Sequence, residues 1–420
     1  MVRRLLALCL LAAAAQAGAA DPDPFPPLER SSTAELRYPL GTESELAAYA
    51  GWSDLEARSL RLATLTRGAF SGAAGLKIHY RLYRHRAETR GTVVLVAGRT
   101  EGLVMYQELI LDLLRNGYSV HIQDHRGQGF SQRLLPEKPS LGHVDQFQHY
   151  VDDLAAFIDG PSKAARSRRP LFLLAHSMGG AVSALYLEQQ AANSGVAAAA
   201  LVTPMMEPWA DGEADAGLAA RLAGGYCARF SVDVGPLGRL SEQYAEGSDF
   251  DSEYAKVREA AADAPNALTH SARRFARHWQ ARDEARCTGE DCGWPDAKIG
   301  GPSLRWFNQA CVGSEQARGP AAAGIRVPVL LLQGGLDRVV KPEAQQSFCA
   351  QLNSGSGTGY CVGRRLPGAL HSIFIEADAQ RQPALRRVLG FFDCVRGENE
   401  APRPASTPVG PPRGRQCSRH

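Results

Sequence analysis

The sequence predicts an α/β fold with a mostly parallel central sheet flanked by helices, and three observations carry that prediction. Apolar runs such as TVVLVAG, LFLLAHS and VPVLLLQGG lack polar alternation, as strands covered on both faces require. Between them stand segments of helical periodicity, among them YQELILDLLRNG, HVDQFQHYVDDLAAFID and GGAVSALYLEQQA. Strand, helix and strand in alternation imply right-handed crossovers, hence parallel pairing.

The 420 residues suffice for one large α/β domain with insertions. The chain starts MVRRLLALCLLAAAAQAGAADPDP, a basic start, a short apolar run and small residues before an A-x-A-like site. Residues 1–20 read as a secretory signal peptide cleaved between Ala17 and Asp21, or, uncleaved, as a membrane anchor; either implies export, to the periplasm or beyond or to a membrane surface. Residues 21–65 form a polar N-terminal extension with helical patches. The first part of the core, 66–207, opens with the alternating strand GLKIHYRLYRH and continues through TVVLVAG. The helix YQELILDLLRNG stops at Gly117, and SVHIQDHRGQG follows as a strand ending in a Gly-rich turn. In HVDQFQHYVDDLAAFID the apolar positions Phe147, Val151, Leu154 and Phe157 fall on one helix face.

After VAAAALVTPMM the rhythm breaks. Residues 208–320 are charged, Ala- and Gly-rich and helical, and an insertion at this point covers a pocket at the carboxyl edge of the sheet. The core resumes over 321–395 with VPVLLLQGGLD, a helix near PEAQQSFCAQL, the stretch GRRLPGAL and the helix PALRRVLGFFDCV. The Pro-rich tail, 396–420, reads as extended except where Cys417 ties it down.

Eight cysteines follow the leader, an even number in a chain bound for an oxidising compartment, so disulfides are expected. Neighbourhood pairs Cys287 with Cys292, Cys349 with Cys361 and Cys394 with Cys417, leaving Cys227 with Cys311, although sequence does not fix connectivity. The spacing offers no zinc pattern. The formal net charge is only +3, without a dense Lys/Arg block, which gives nucleic-acid binding no support.

The chemistry concentrates at LFLLAHSMGG, where an apolar strand runs into a serine with small flanks, as in a G-x-S-x-G nucleophile elbow with Ala175 for the first glycine. That position demands smallness rather than positive φ, and alanine meets the demand. A serine hydroxyl needs an imidazole to take its proton and a carboxylate to orient that imidazole. In the expected chain order, Asp337 follows the strand VPVLLLQ and His371 follows GRRLPGAL. The candidate oxyanion donors are the N–H of Met178 and, if Gly98 turns the chain, the N–H of Arg99. The Arg99 guanidinium reads either as a lid over the site or as a partner of Glu101. Asp124 and Arg126 in DHRGQG read as pins of the loop beside the elbow. Asn266, Thr269, His270 and Ser271 either hold the cap helix or touch a head group.

The stretches AGRTEG, QDHRGQGFSQR, GHVDQFQHYVDDLAAFI, AHSMGGAVSALYL, NALTHSARR, IGGPSLRWF and LLLQGGLDRVV resemble the lysophospholipase L2 and monoacylglycerol lipase group of α/β-hydrolases, a serine aminopeptidase S33-like group, over residues 68 to 395. AGRTE, NALTHS and IGGPSLRW are closer to the lysophospholipase branch, since monoglyceride lipases typically carry His-Gly where this chain has Ala97-Gly98. The resemblance implies hydrolysis of a fatty acyl ester of a glycerol or glycerophospho head group by Ser177, Asp337 and His371, with Arg99 and Met178 as oxyanion hole and no metal or organic cofactor. It also implies a lipid ester as the small-molecule partner and allows contact of the cap with a membrane surface. The runner-up activities are a short-chain carboxylesterase and, from another class, a non-catalytic lipid carrier. Epoxide and haloalkane hydrolases place aspartate where Ser177 stands.

Overall fold

The computed structural model describes residues 25–29, 35–208, Cys227, 242–245, 247–260, 266–400 and Cys417. The expected signal peptide and nearly all of the Pro-rich tail lie outside these residues.

Eight strands form one sheet: β1 (Ala63–Ser71), β2 (Lys77–His85), β3 (Gly91–Val96), β4 (Tyr118–Gln123), β5 (Leu171–His176), β6 (Val196–Val202), β7 (Pro328–Gly334) and β8 (Tyr360–Leu366). Their spatial order is β1-β2-β4-β3-β5-β6-β7-β8. β1 and β2 pair antiparallel, β2 joins β4 antiparallel, and every later pairing is parallel. The carboxyl ends of β3 and β5 through β8 therefore share one edge, where an α/β sheet places its ligands.

Side-chain alternation explains why the central strands are apolar throughout. On β3, Val93 and Leu95 enter one core with Phe172, Leu174, Leu389 and Phe392, while Val94 and Val96 enter the other with Leu173, Ala175, Leu154 and Phe157. Helices α3 (Gln107–Arg115) and α10 (Asp378–Glu400) cover the first face; α4 (Gln148–Phe157), α5 (Met178–Gln190) and α9 (Pro342–Asn353) cover the second. Phe147, Val151, Leu154 and Phe157 are all buried, as their spacing predicts. Gly117 ends α3 at φ +79°, a conformation that favours glycine.

Ahead of the sheet, α1 (Glu43–Ala47) and α2 (Trp52–Leu62) pack on α3 through Leu46, Tyr49, Leu55 and Leu111. The sequence reading assigned residues up to 65 to this extension and missed β1. The reason is physical: β1 is an edge strand, largely exposed or half-exposed, so it carries neither an apolar run nor clean alternation. The expected extended tail also begins later, because α10 continues through Arg396 to Glu400.

Between β6 and β7 lie α6 (Phe250–Glu259), α7 (Ala272–Glu284) and α8 (Leu304–Ala317). Each begins at a side-chain cap, from Asp249, Ser271 and Ser303 respectively, which satisfies an orphan first-turn N–H. α8 contributes Trp306, Phe307 and Ala310 to the second core, whereas α6 and α7 share a small aromatic cluster of Phe250, Tyr254, Phe275 and Trp279. Disulfides join Cys227 to Cys311, Cys287 to Cys292, Cys349 to Cys361 and Cys394 to Cys417, the pairing that neighbourhood suggested and one compatible with export. Among the described residues no helix is long and apolar enough to cross a membrane.

Candidate active site

Five described non-glycine residues have positive φ, and three of them, Thr100, Ser177 and Thr203, stand just past the carboxyl ends of β3, β5 and β6. Backbone strain concentrated this way marks a functional edge. Ser177, at φ +49° and ψ −119°, makes the sharp turn between β5 and α5. Its N–H donates to Val202 O at 3.1 Å, and its carbonyl accepts from Gly180 and Met205 at 2.8 and 2.9 Å, so the strained residue is held from both sides.

The turn demands small neighbours. A Cβ on Gly179 would sit 2.3 Å from Val96 O, and one on Gly180 would sit 2.4 Å from Pro204 Cβ. Ala175 is buried without positive φ, so its methyl fits as the sequence reading supposed. Met178 opens α5, and its N–H is a first-turn donor without an intrahelical acceptor beside the serine. Next to Gly98 the chain turns, positive φ falls on Thr100, and a Cβ on Gly98 would lie 2.6 Å from Glu101 Oε2 and displace that carboxylate.

Asp337 follows β7, and His371 follows β8. Ser177 Oγ donates to His371 Nε2 at 2.9 Å, and His371 Nδ1 donates to Asp337 Oδ2 at 2.8 Å. The other Asp337 oxygen accepts the N–H groups of Val339 and Val340 at 2.7 and 3.3 Å, which fixes the carboxylate plane. All three side chains are buried or nearly so. Such a line can move a proton from hydroxyl to imidazole while the carboxylate stabilises the resulting charge.

Residues 87–378 match the Hydrolase_4 family, described as serine aminopeptidase, S33. The chain is 35% identical to lysophospholipase L2 of Escherichia coli strain K12 over 77% of its own length and 86% of that protein's. It is 26% identical to the probable lysophospholipase L2 of Haemophilus influenzae over 77% of this chain and 90% of that one. The chain belongs to the Hydrolase_4 family. A soluble variant of monoglyceride lipase from Saccharomyces cerevisiae superimposes with a TM-score of 0.56 at 19% identity, covering 79% of this chain and 95% of that one. The fold is that of the α/β-hydrolases, and the enzyme class is that of the carboxylic ester hydrolases.

In this hydrolase the serine and histidine border a cavity of about 310 Å³ between the sheet edge and the cap, with Arg99, Trp279, Arg282 and Ile299 also in its lining. The Arg99 guanidinium reaches the cap, at 3.4 Å from Gly300 O and 5.4 Å from the Trp306 ring, in keeping with a lid.

A network that the sequence did not reveal holds the histidine loop. Thr203 Oγ1 donates to His371 O at 2.8 Å, and His176 Nε2 donates to the same oxygen at 3.2 Å. His176 Nδ1 donates to Glu101 at 2.9 Å. Both partners of His176 are acceptors, so both ring nitrogens carry protons. Burial alone would lower the His176 pKa, but the Glu101 charge and hydrogen bond raise it above its ordinary 6.5. Burial would likewise raise the Glu101 carboxyl, yet the His176 charge and the donors His176, Tyr106 and Gly98 hold it down at about 2. His176 lies inside the quoted elbow, but its role depends on a glutamate 75 positions away.

The other singled-out residues are structural. Asp124 accepts the N–H groups of Leu103 and Phe130, both at 2.8 Å, and Arg126 forms a bidentate pair with Asp153 at 2.8 Å per bond. In the cap, Asn266 and Ser271 bond backbone N–H groups, while Thr269 Oγ1 donates to Ile375 O. Fully buried Glu376 accepts from the His270 N–H and ring at 2.9 Å each. The Ser372 N–H donates to Leu268 O at 2.8 Å, so the NALTHS segment docks on the loop that carries His371.

Proposed function

We propose that this hydrolase cleaves the fatty acyl ester of lysophospholipids or monoacylglycerols through an acyl-enzyme. His371, oriented by Asp337, takes the Ser177 proton as Oγ attacks the ester carbonyl. The oxyanion that forms is met by the N–H of Met178 and that of Arg99. His371 then gives the proton to the departing glycerol oxygen, and in the second half it deprotonates the water that releases the fatty acid. The observation that carries this reading is the Ser177, His371 and Asp337 line at the floor of the capped cavity. The names of the curated relatives favour the lipid ester. The leader-like N-terminal sequence and four disulfides favour an exported enzyme.

The test compares hydrolysis of lysophosphatidylcholine, monoolein and p-nitrophenyl butyrate by the mature protein and by Ser177→Ala. The variant is expected to lose about ten-thousandfold or more in kcat on every ester and to lose labelling by a fluorophosphonate probe, with its melting transition kept. Labelling that survives the substitution overturns the nucleophile. Turnover of p-nitrophenyl butyrate alone replaces the lipid reading by a short-chain carboxylesterase.

A further inference from the structure

The cap side of the cavity carries a charge that the hydrolytic line does not use. Arg282, on α7, is 5% exposed and lines the cavity that contains Ser177. Among the described residues no carboxylate forms an ion pair with it. Its Nη1 donates weakly to Thr100 O and Ile299 O at 3.4 and 3.3 Å, and its buried Nε has no partner. The guanidinium lies 4.0 Å from the Trp279 ring centroid and 5.2 Å from that of Phe250, which fixes its plane by cation–π contact.

The nearby acids are committed elsewhere. Glu101 is bound to His176, and Glu253 accepts from Ser248 Oγ at 2.6 Å and from Lys256 at 3.0 Å. His278, one turn before Arg282 on the same face of α7, lines the same cavity with no hydrogen bond among the described residues, and Arg99, which bonds Gly300 O, adds a second guanidinium to that lining. Burial pushes Arg282 down to about 9 despite the Glu101 charge. A guanidinium kept in such a place without a counterion is costly, and a mobile anion would offset that cost.

We propose that Arg282, flanked by Arg99 and His278, forms a subsite for the phosphodiester of a glycerophospho head group whose acyl ester lies at Ser177. This rests on the lipid-ester reading above and selects the lysophospholipid from its two substrates. The planar fork suits bidentate phosphate binding, and the glycerol carbons separate the phosphate from the scissile ester, so ester at the sheet and phosphate at the cap use one cavity. A neutral monoacylglycerol gains nothing from the same arginine.

The experiment uses the mature full chain, wild type and Arg282→Gln, at constant ionic strength. The kcat/KM for lysophosphatidylcholine is expected to fall at least about tenfold further than that for monoolein, with the difference residing in KM. Independently of the variant, sn-glycero-3-phosphocholine should inhibit wild-type hydrolysis of p-nitrophenyl butyrate competitively, and glycerol at equal concentration should not. Equal losses on the two lipids, or inhibition by glycerophosphocholine no better than by glycerol, overturn the phosphate subsite and leave the hydrolase reading standing. Turnover of neither lipid by wild type, with p-nitrophenyl butyrate still cleaved, removes the lipid reading and the subsite together.

Discussion

The two sides of the cavity spend their buried charge differently. On the sheet side, buried charges are paired with good geometry: Arg126 grips Asp153 with two bonds and almost no exposure, and Glu101 binds His176 at the cavity lining. On the cap side, α6 buries only Phe250 and α7 buries Arg274, Ala281 and Arg282. There Arg274 is spent on Glu108 and Asp378, whereas Arg282 rests on aromatic rings, and a cystine tethers α8 back to Cys227. The difference teaches a division of labour. A wall that must hold an oxygen and a nitrogen at 2.9 Å is over-determined, and a wall that must receive a substrate keeps polar capacity unspent.

The largest effect that tests this contrast comes from the sheet side. Replacing Arg126 with Met leaves Asp153 buried with only the Ala73 N–H as a remaining donor from this network, and should destabilise the fold by about 3–5 kcal/mol. Urea denaturation measures it. A loss well below 1 kcal/mol would mean that the pair is not the rigid pin described.

The cap should respond to a different treatment. The Cys227–Cys311 bond spans 84 residues and Cys287–Cys292 spans 5, so by loop closure the first should matter more. Serine replacement of both members is expected to cost about 2–4 kcal/mol for the long loop and no more than about 2 kcal/mol for the short one. Thermal denaturation of the two double variants ranks them, and the reverse order would show that native-state packing of the short loop dominates.

How far the sequence revealed this architecture follows the same division. The central strands β3, β5 and β7 were legible because burial on both faces leaves uninterrupted apolar runs, and the turn was legible because Ser177 lies between such a run and small residues. Asp337 and His371 could be named because each follows a strand in the expected order. β1 was lost because an edge strand has no such run. The turn after Gly98 was legible, and the positive φ of Thr100 was not, since threonine rarely adopts it. Arg282 and His278 were hidden in ARRFARHWQARDE, where a charged helix reads as a solvated face. Their spacing of four was the available signal, and only the burial of that face makes it informative.

The subtlest expected effect concerns the pair that joins the sheet to the histidine loop. Glu101→Gln removes the charge that keeps His176 protonated, so His176 gives up one of its two donor contacts, to residue 101 or to His371 O. The sign follows from the two shifts. The raised His176 contributes stability fully below its ordinary 6.5, lost as pH rises through its folded value. The depressed Glu101 contributes above its ordinary 4.5, lost as pH falls through about 2. The wild-type advantage is therefore greatest between these ordinary values, with an expected size of about 2 kcal/mol near pH 6 and a smaller one near about pH 9. Denaturation of both proteins across that range measures it. A difference that stays flat with pH would mean that His176 is neutral and that a single hydrogen bond positions the His371 carbonyl.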